Sequence, residues 1–234
     1  MEPNQYQIKP YADVGTSAPF VSRIHGLCEL IDAGQYDDNT ARIKEGITIM
    51  LTECLIPAFL SLRELRSLAG KENVPELTKV KEYDSLYGKL WTAYKDRMQA
   101  VARLMGFDVG FIFASPNTFS EAAQSFAAAN PRIPPDFITM VEGDRRSWQQ
   151  YLSNFRNNFL EHQKIERNTI KHFYSLGQAE ISFENVWHAI EEIIALLAES
   201  RFPAWVRLRE LSPEERISGN EKRFGYAMIG PATE

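Results

Sequence analysis

The chain is poor in the residues on which most metal and cofactor sites depend. It has two cysteines and four histidines among 234 residues. None of the histidines follows a glutamate by three positions, as ferritin-like metal bundles require, and no zinc-type spacing occurs. Glycine-rich phosphate loops, dinucleotide fingerprints and the serine nucleophile elbow are missing too. The sequence therefore predicts no cofactor and no metal, and we expect Cys28 and Cys54 to be small core residues in a reducing cytosol.

The chain also lacks an excess of positive charge. Its formal net charge is −5 and its pI is near 5.5. An acidic protein is not a general polyanion binder, so any contact with nucleic acid must come from a local basic patch. We see no apolar segment of 18 residues and no signal-peptide pattern near the N-terminus. We therefore expect a cytoplasmic protein with no membrane contact.

Helical periodicity is the main pattern in the sequence. With 44% hydrophobic residues the chain can bury one substantial core. Apolar residues recur every third or fourth position in several long segments, most clearly from Val80 to Val101. The pattern predicts an all-α fold, a bundle of four to five long helices plus short helices. We expect an irregular tail over 1–17, a single bundle domain over 18–210 and an extended tail over 211–234.

Breaker and capping residues place the helix ends. A short first helix begins near Phe20, and a second begins at one of the N-cap candidates between residues 37 and 39. Pro57 should distort this second helix, and Gly106 should end the third. The apolar stretch Phe107–Phe113 is too short and too glycine-rich for an α-helix, which predicts a buried connector.

The second half of the chain carries similar signals. Thr118 and Glu121 form a capping-box pattern for a helix over 119–129, and a further helix begins near Asp136. Ser182 is the predicted N-cap of a strongly buried final helix. A short helix is expected after Pro203. The aromatic residues of the third helix have helical spacing and are expected in the core rather than as a base-stacking platform: Tyr83, Tyr87, Trp91 and Tyr94.

The helix that begins near Asp136 carries the most informative stretch. At about 100° per residue, four of its residues form one narrow apolar stripe: Trp148, Leu152, Phe155 and Phe159. Arg156 and His162 lie on the two borders of this stripe. They are separated by roughly 9 Å along the helix axis, so two copies related by a two-fold axis can bring the two residue types together.

The segment Arg156-Asn157-Asn158-Phe159-Leu160-Glu161-His162 resembles the motif of the HEPN superfamily. The family pattern is arginine, a polar residue, three to five further residues and a histidine, late in a bundle of long helices. The family consists of prokaryotic helical domains that often act as metal-independent endoribonucleases. A second match, Arg167 to His172, follows just downstream, and the sequence leaves open which of the two is the motif.

The resemblance implies a homodimeric ribonuclease with a composite arginine and histidine site. His162 is the acid and base, Arg156 holds the phosphate and Asn157 positions it. The 2′-hydroxyl of RNA attacks the phosphodiester and leaves a 2′,3′-cyclic phosphate. The remaining candidates are substrate-binding: Asn158, Lys164, Arg167 and His172. A toxin or defence role with RNA or nucleotide as ligand and a cognate antitoxin as partner is consistent with this resemblance.

The local charge leaves a second interpretation open. Glu161 precedes the histidine directly, and six cations between residues 145 and 171 face four acids between 142 and 166, a net charge of only +2. The alternative is a non-catalytic HEPN-like helical module that binds a nucleotide or a protein and dimerises. In that interpretation, the motif residues serve dimer packing. A purely structural explanation of the pair is a salt bridge of Arg156 at the helix border and a capped or buried imidazole at His162.

Overall fold

The computed structural model describes residues 39–71, 74–156, 174–202, 206–210 and 224–228. Five helices make up most of them, so the predicted all-α class is confirmed. The helices and their bounds are α1 (Asn39–Ala69), α2 (76–104), α3 (Pro116–Ala129), α4 (136–155) and α5 (Leu176–Arg201). The predicted first helix near Phe20, the tail over 1–17 and Cys28 lie outside the described residues.

A small antiparallel ladder follows the helices. β1 (Val206–Glu210) pairs with β2 (Phe224–Met228), with Val206 opposite Met228 and Glu210 opposite Phe224. The short helix predicted after Pro203 is therefore wrong for 206–210. The sequence Val-Arg-Leu-Arg-Glu alternates apolar and charged residues, which is the period of a strand. The ladder joins residues on both sides of position 210, where we expected the domain to end.

α1 contains a wide π-helical turn at Met50–Leu55, just before Pro57. In this turn the N–H of Ile56 donates to the carbonyl of Leu51, five residues back. A proline has no N–H and its ring clashes with the carbonyl four residues earlier. A π turn shifts the hydrogen-bond partners at this point, so the distortion predicted at Pro57 takes this form. Cys54 lies in the turn and is buried, as predicted.

α2 runs without a break from Glu76 and contains a second π turn, Thr92–Arg97. It ends where predicted. Gly106 has φ +93°, its N–H donates to the carbonyl of Arg103, and the N–H of Phe107 donates to that of Ala102. This is a Schellman motif, which needs a residue with positive φ and therefore favours glycine.

One hydrophobic core includes buried residues of all five helices. α5 is buried along most of its 26 residues, with Phe183, Ile190 and Ile194 fully enclosed. It begins at Leu176, and the side chain of Ser175 caps it by accepting the N–H of Gln178. The prediction that Ser182 is the cap is wrong, because Ser182 is buried inside the helix. Ser175 and Ser182 are equally good caps by type, and the tertiary structure decided between them.

The connector between α2 and α3 is buried, as predicted. Gly110–Phe113 form one 3-10 turn with Phe111 and Ile112 in the core. α3 begins at Pro116, three residues before the predicted start, so the capping box at Thr118 is wrong. Proline suits the first helical position because its missing N–H would have no partner there. α3 ends at Ala129 and α4 begins at Asp136, both as predicted.

α1 passes the length and composition test for a membrane span. An 18-residue window of this helix has a mean hydropathy of 1.5, and half of that window is buried inside the protein. The expectation that no apolar segment reaches this length therefore does not hold. A packed core helix passes the same test, so the absence of membrane contact stays a prediction.

Candidate functional site

The apolar stripe of α4 brings Arg156 to the edge of the core. Trp148 and Leu152 are buried, and Phe155 is fully buried with its ring centre 4.4 Å from that of Tyr87. The stripe predicted over these three residues is confirmed. Arg156 is the next residue, about 100° further around the helix. Its guanidinium carbon lies 5.7 Å from the centre of the Trp91 ring on α2.

Arg156 lines an open cleft of about 350 Å³ between α2, α4 and the connector before α3. Three of the described lining residues are cations, and no aspartate or glutamate occurs among the described lining residues. The walls are formed by Trp91, Lys95, Phe113, Ala114, Ser115, Pro116, Arg145, Gln149, Gln150, Ser153, Asn154 and Arg156. In a chain with a net charge of −5, this cleft is locally cationic.

The α2 wall of the cleft consists of Trp91 and Lys95. Trp91 is only 6% exposed, and Phe113 contacts it edge to face at 6.0 Å between ring centres. The ammonium nitrogen of Lys95 lies 5.7 Å from the same indole ring. Lys95 belongs to the π turn of α2, Thr92–Arg97, which begins directly after Trp91. Within the described part of the chain, Lys95 forms no ion pair.

Arg145 and Gln149 hold the opposite wall in place. Both belong to the π turn of α4, Arg145–Gln149, and both donate to the carbonyl of Ile112. Arg145 donates a second hydrogen bond of 2.7 Å to the carbonyl of Ala114, and its guanidinium carbon lies 4.2 Å from the centre of the Phe119 ring. Burial lowers the pKa of Arg145. Arg145 therefore positions the connector and adds its charge to the cleft.

Two acids in the described part of α4, Glu142 and Asp144, do not line the cleft. Glu142 forms an exposed ion pair with Arg146, so neither residue lines the cleft. Asp144 accepts a 2.9 Å hydrogen bond from the indole N–H of Trp148. Its Oδ2 is buried and has no hydrogen-bond partner among the described residues, and burial raises the pKa of this carboxyl. The predicted basic patch is thus divided, because Arg145 and Arg156 face the cleft and Arg146 does not.

Most of the predicted site lies outside the described residues. This applies to Asn157 and His162, and to the substrate-binding candidates Asn158, Lys164, Arg167 and His172. Arg156 is the one candidate that the structure places. No histidine occurs among the described lining residues.

The sequence interpretation missed Lys95 and treated Trp91 as a core residue only. Tyr83, Tyr87 and Tyr94 are buried as predicted, and so is Trp91. One side of Trp91 nevertheless borders the cleft. The only available signal was a lysine four residues after a tryptophan, which is common on helices and carries little information.

A second cavity, of about 520 Å³, lies where α1 ends and α5 begins. Its walls are mostly apolar, with Leu65, Val80 and Tyr83 among them, and it contains one lysine and one glutamate. It therefore has no excess of positive charge. Within the described ranges, no group of three or more histidine, cysteine, aspartate or glutamate residues is arranged to hold a metal ion.

Comparison with known proteins does not identify a relative. No family model, curated protein or solved structure matches this chain. The motif around Arg156 and the charge of the cleft therefore carry the functional inference.

Proposed function

We propose that this protein is a metal-independent endoribonuclease of the HEPN type, in which the cationic cleft holds RNA phosphate. The observation that carries the proposal is the position of Arg156. This arginine opens the HEPN-like motif, and it lines a cleft whose described walls contain two further cations and no carboxylate. Phosphodiesters carry one negative charge each, and arginine binds them through a planar fork of N–H donors.

The chemistry assigns one role to each motif residue. His162 takes the proton from a ribose 2′-hydroxyl, and that oxygen then attacks the neighbouring phosphorus. Arg156 stabilises the extra negative charge that develops on the phosphoryl oxygens, and Asn157 positions the group. The P–O5′ bond then breaks, the 5′-oxygen leaves with the proton that His162 returns as general acid, and the product carries a 2′,3′-cyclic phosphate. DNA lacks the nucleophile and is not cut.

The charge arrangement of the cleft supports RNA binding in spite of the acidic chain. Glu142 lies near the motif in sequence but pairs with Arg146, and Asp144 is held by Trp148. Neither lines the cleft. A ligand in the cleft therefore faces the positive charge of the described lining residues, while salt screens the acids that lie farther away.

The proposal includes a homodimer with a site composed of Arg156 from one subunit and His162 from the other. Mixing the Arg156→Ala and His162→Ala proteins tests this composition. In mixed dimers one site then contains both wild-type residues. If subunits exchange at random, about half of the dimers are mixed, and one of the two sites in each mixed dimer is complete. About a quarter of the wild-type activity should therefore return. If both residues act within one chain, every site in the mixture is defective and no activity returns.

The direct test of catalysis is RNA cleavage in excess chelator. We expect purified protein to cut mixed-sequence RNA and to leave matching DNA intact, with cyclic phosphate at the new ends. His162→Ala and Arg156→Ala should abolish cutting. Arg146→Ala is the matched control, because Arg146 lies on the same helix but is paired with Glu142 outside the cleft. Equal loss in all three variants would contradict the proposed site.

A second candidate function is a non-catalytic HEPN-like module that binds a nucleotide or a protein and dimerises. It is favoured by the lining itself, because the described walls supply cations, amides and an aromatic ring but no histidine. RNA binding without cleavage between about pH 6 and pH 8, the range in which histidine changes charge, would select this function. A role as a toxin or defence component with a cognate antitoxin belongs to the ribonuclease proposal.

A further inference from the structure

Two cations from different helices converge on one aromatic ring in the cleft. Arg156 approaches the Trp91 ring from α4, and Lys95 approaches it from α2, each with its charged group 5.7 Å from the ring centre. Trp91 itself is almost fully buried and is supported by Phe113. The ring is therefore a rigid support against which both charged side chains are held.

The three cations of the cleft differ in what they can offer a ligand. Arg145 directs Nη1 and Nη2 to the carbonyls of the connector, so its two terminal nitrogens are engaged in holding the wall. Lys95 has three N–H donors, and its ammonium has no carboxylate partner within the described part of the chain. Lys95 can therefore donate to a ligand without breaking an ion pair.

We propose that Lys95 is a substrate-binding residue that holds an RNA backbone phosphate beside the one held by Arg156, with Trp91 as the common support of both side chains. This inference rests on the proposed function, since it assumes that the cleft receives RNA. It adds a phosphate contact from α2, which the motif on α4 does not include. Lys95 acts as a compact point charge, whereas Arg156 binds through its planar fork.

Pre-organisation gives Lys95 an advantage over an ordinary surface lysine. A free lysine loses side-chain freedom when it binds, whereas contact with the indole already restricts Lys95 before the ligand arrives. Lys95 stands four residues after Trp91, in the π turn of α2. Side chains at this spacing lie next to each other on a helix.

The test measures the salt dependence of binding with an RNA that cannot be cut. The probe is a short single-stranded RNA with a 2′-O-methyl group on every ribose, which removes the nucleophile. Each phosphate contact contributes about 0.7 to the slope of log affinity against log salt for single strands. Between 50 and 200 mM salt, wild-type affinity should therefore fall roughly 2.6-fold more than that of Lys95→Ala. Lys95→Arg keeps the charge and should keep the wild-type slope.

Lys81→Ala is the matched control, because Lys81 lies on the same helix, is exposed and does not line the cleft. It should retain the wild-type slope. An unchanged slope in Lys95→Ala, or an equal change in Lys81→Ala, overturns the role of Lys95. Thermal unfolding of each variant confirms that the fold is retained, and a failure of Lys95→Ala to fold moves the comparison to Lys95→Gln.

The outcomes also separate this inference from the proposed function. If the probe binds with the predicted dependence on Lys95 and unmodified RNA is not cut, the ribonuclease fails and the phosphate site stands. If RNA is cut and the slope does not depend on Lys95, the ribonuclease stands and this inference fails. If the wild-type protein neither binds nor cuts RNA, both are overturned.

Discussion

The guanidinium carbon of Arg156 lies 5.7 Å from the centre of the Trp91 indole, although the two residues belong to different helices. The contact places the one described motif residue against a nearly buried ring, at the mouth of the cationic cleft. A cation–π contact of this kind contributes about 0.5–1 kcal/mol at an exposed site.

This contact predicts energetic coupling between the two residues. In a double-mutant cycle with Trp91→Leu and Arg156→Ala, we expect a coupling free energy of about 0.5–1 kcal/mol, measured by urea unfolding. The same cycle with Arg146→Ala in place of Arg156→Ala should give no coupling, because Arg146 is directed at Glu142. Zero coupling for Arg156 would show that the indole does not support it.

The hydrogen bonds of Arg145 predict that replacing it lowers the free energy of unfolding far more than replacing its neighbour Arg146. Arg145→Met removes one hydrogen-bond donor from each of two connector carbonyls, and we expect a loss of about 1.5–3 kcal/mol in the free energy of unfolding. Arg146→Met removes only an exposed ion pair and should cost less than about 1 kcal/mol. Chemical denaturation of both variants measures the difference, and equal losses would contradict the role of Arg145 as an anchor.

The buried stripe of α4 predicts that the stability of the fold depends strongly on Phe155. This side chain is fully buried against Tyr87, so Phe155→Ala should lower the free energy of unfolding by about 3–5 kcal/mol. Leu60→Ala is the control, because Leu60 is 45% exposed on α1 and its truncation should change stability by about 0.5 kcal/mol or less. Thermal unfolding distinguishes the two, and a small effect at Phe155 would place this part of α4 outside the core.

The buried carboxyl of Asp144 predicts that the stability of the fold depends on pH. Burial raises its pKa above the ordinary value of 3.8. The Asp144 carboxyl therefore binds a proton more tightly in the folded state than in the unfolded state. Protonation of this carboxyl stabilises the fold fully below pH 3.8, and this stabilisation is lost as the pH rises through the pKa of the folded state. Asp144→Asn should therefore be more stable than wild type at neutral pH.

The advantage of Asp144→Asn should disappear as the pH is lowered to about 3, where both forms are neutral. An asparagine oxygen can still accept the hydrogen bond from Trp148. Urea unfolding of both proteins at neutral and at acid pH measures the difference in their free energies of unfolding. The exposed Glu64→Gln serves as a control and should not reproduce the difference. A stabilisation of Asp144→Asn that is equal at both pH values would contradict the charge argument.

Two glycines predict opposite effects of the same substitution. Gly106 has φ +93°, so Gly106→Ala should be destabilising by about 1 kcal/mol or more. Gly143 lies inside α4, and an added Cβ would meet nothing within 4 Å. Gly143→Ala should stabilise by about 0.4–1 kcal/mol, because alanine lowers the entropy of the unfolded chain. Thermal unfolding tests the signs, and a stabilising Gly106→Ala would contradict the left-handed turn.

Helix positions followed from the sequence where strong local signals agreed. α2 shows apolar residues at every third or fourth position and a glycine where its last turn needs positive φ, and the structure confirms both features. α4 begins at Asp136, after two prolines, as the sequence predicts. Local predictions failed where more than one residue could begin the same helix. Ser175 caps α5 in place of Ser182, and Pro116 begins α3 ahead of Thr118.

The sequence by itself determined the all-α class, the long helices and the buried stripe beside Arg156, because helical periodicity and breaker residues act over a few neighbouring positions. Only the tertiary structure decided which side chains meet Arg156. Trp91 reaches it from α2, Lys95 lies against the same indole ring, and Glu142 turns away to Arg146. The reason is physical: helix packing and π turns set the direction of each side chain, and contacts between distant segments leave no local pattern in the sequence.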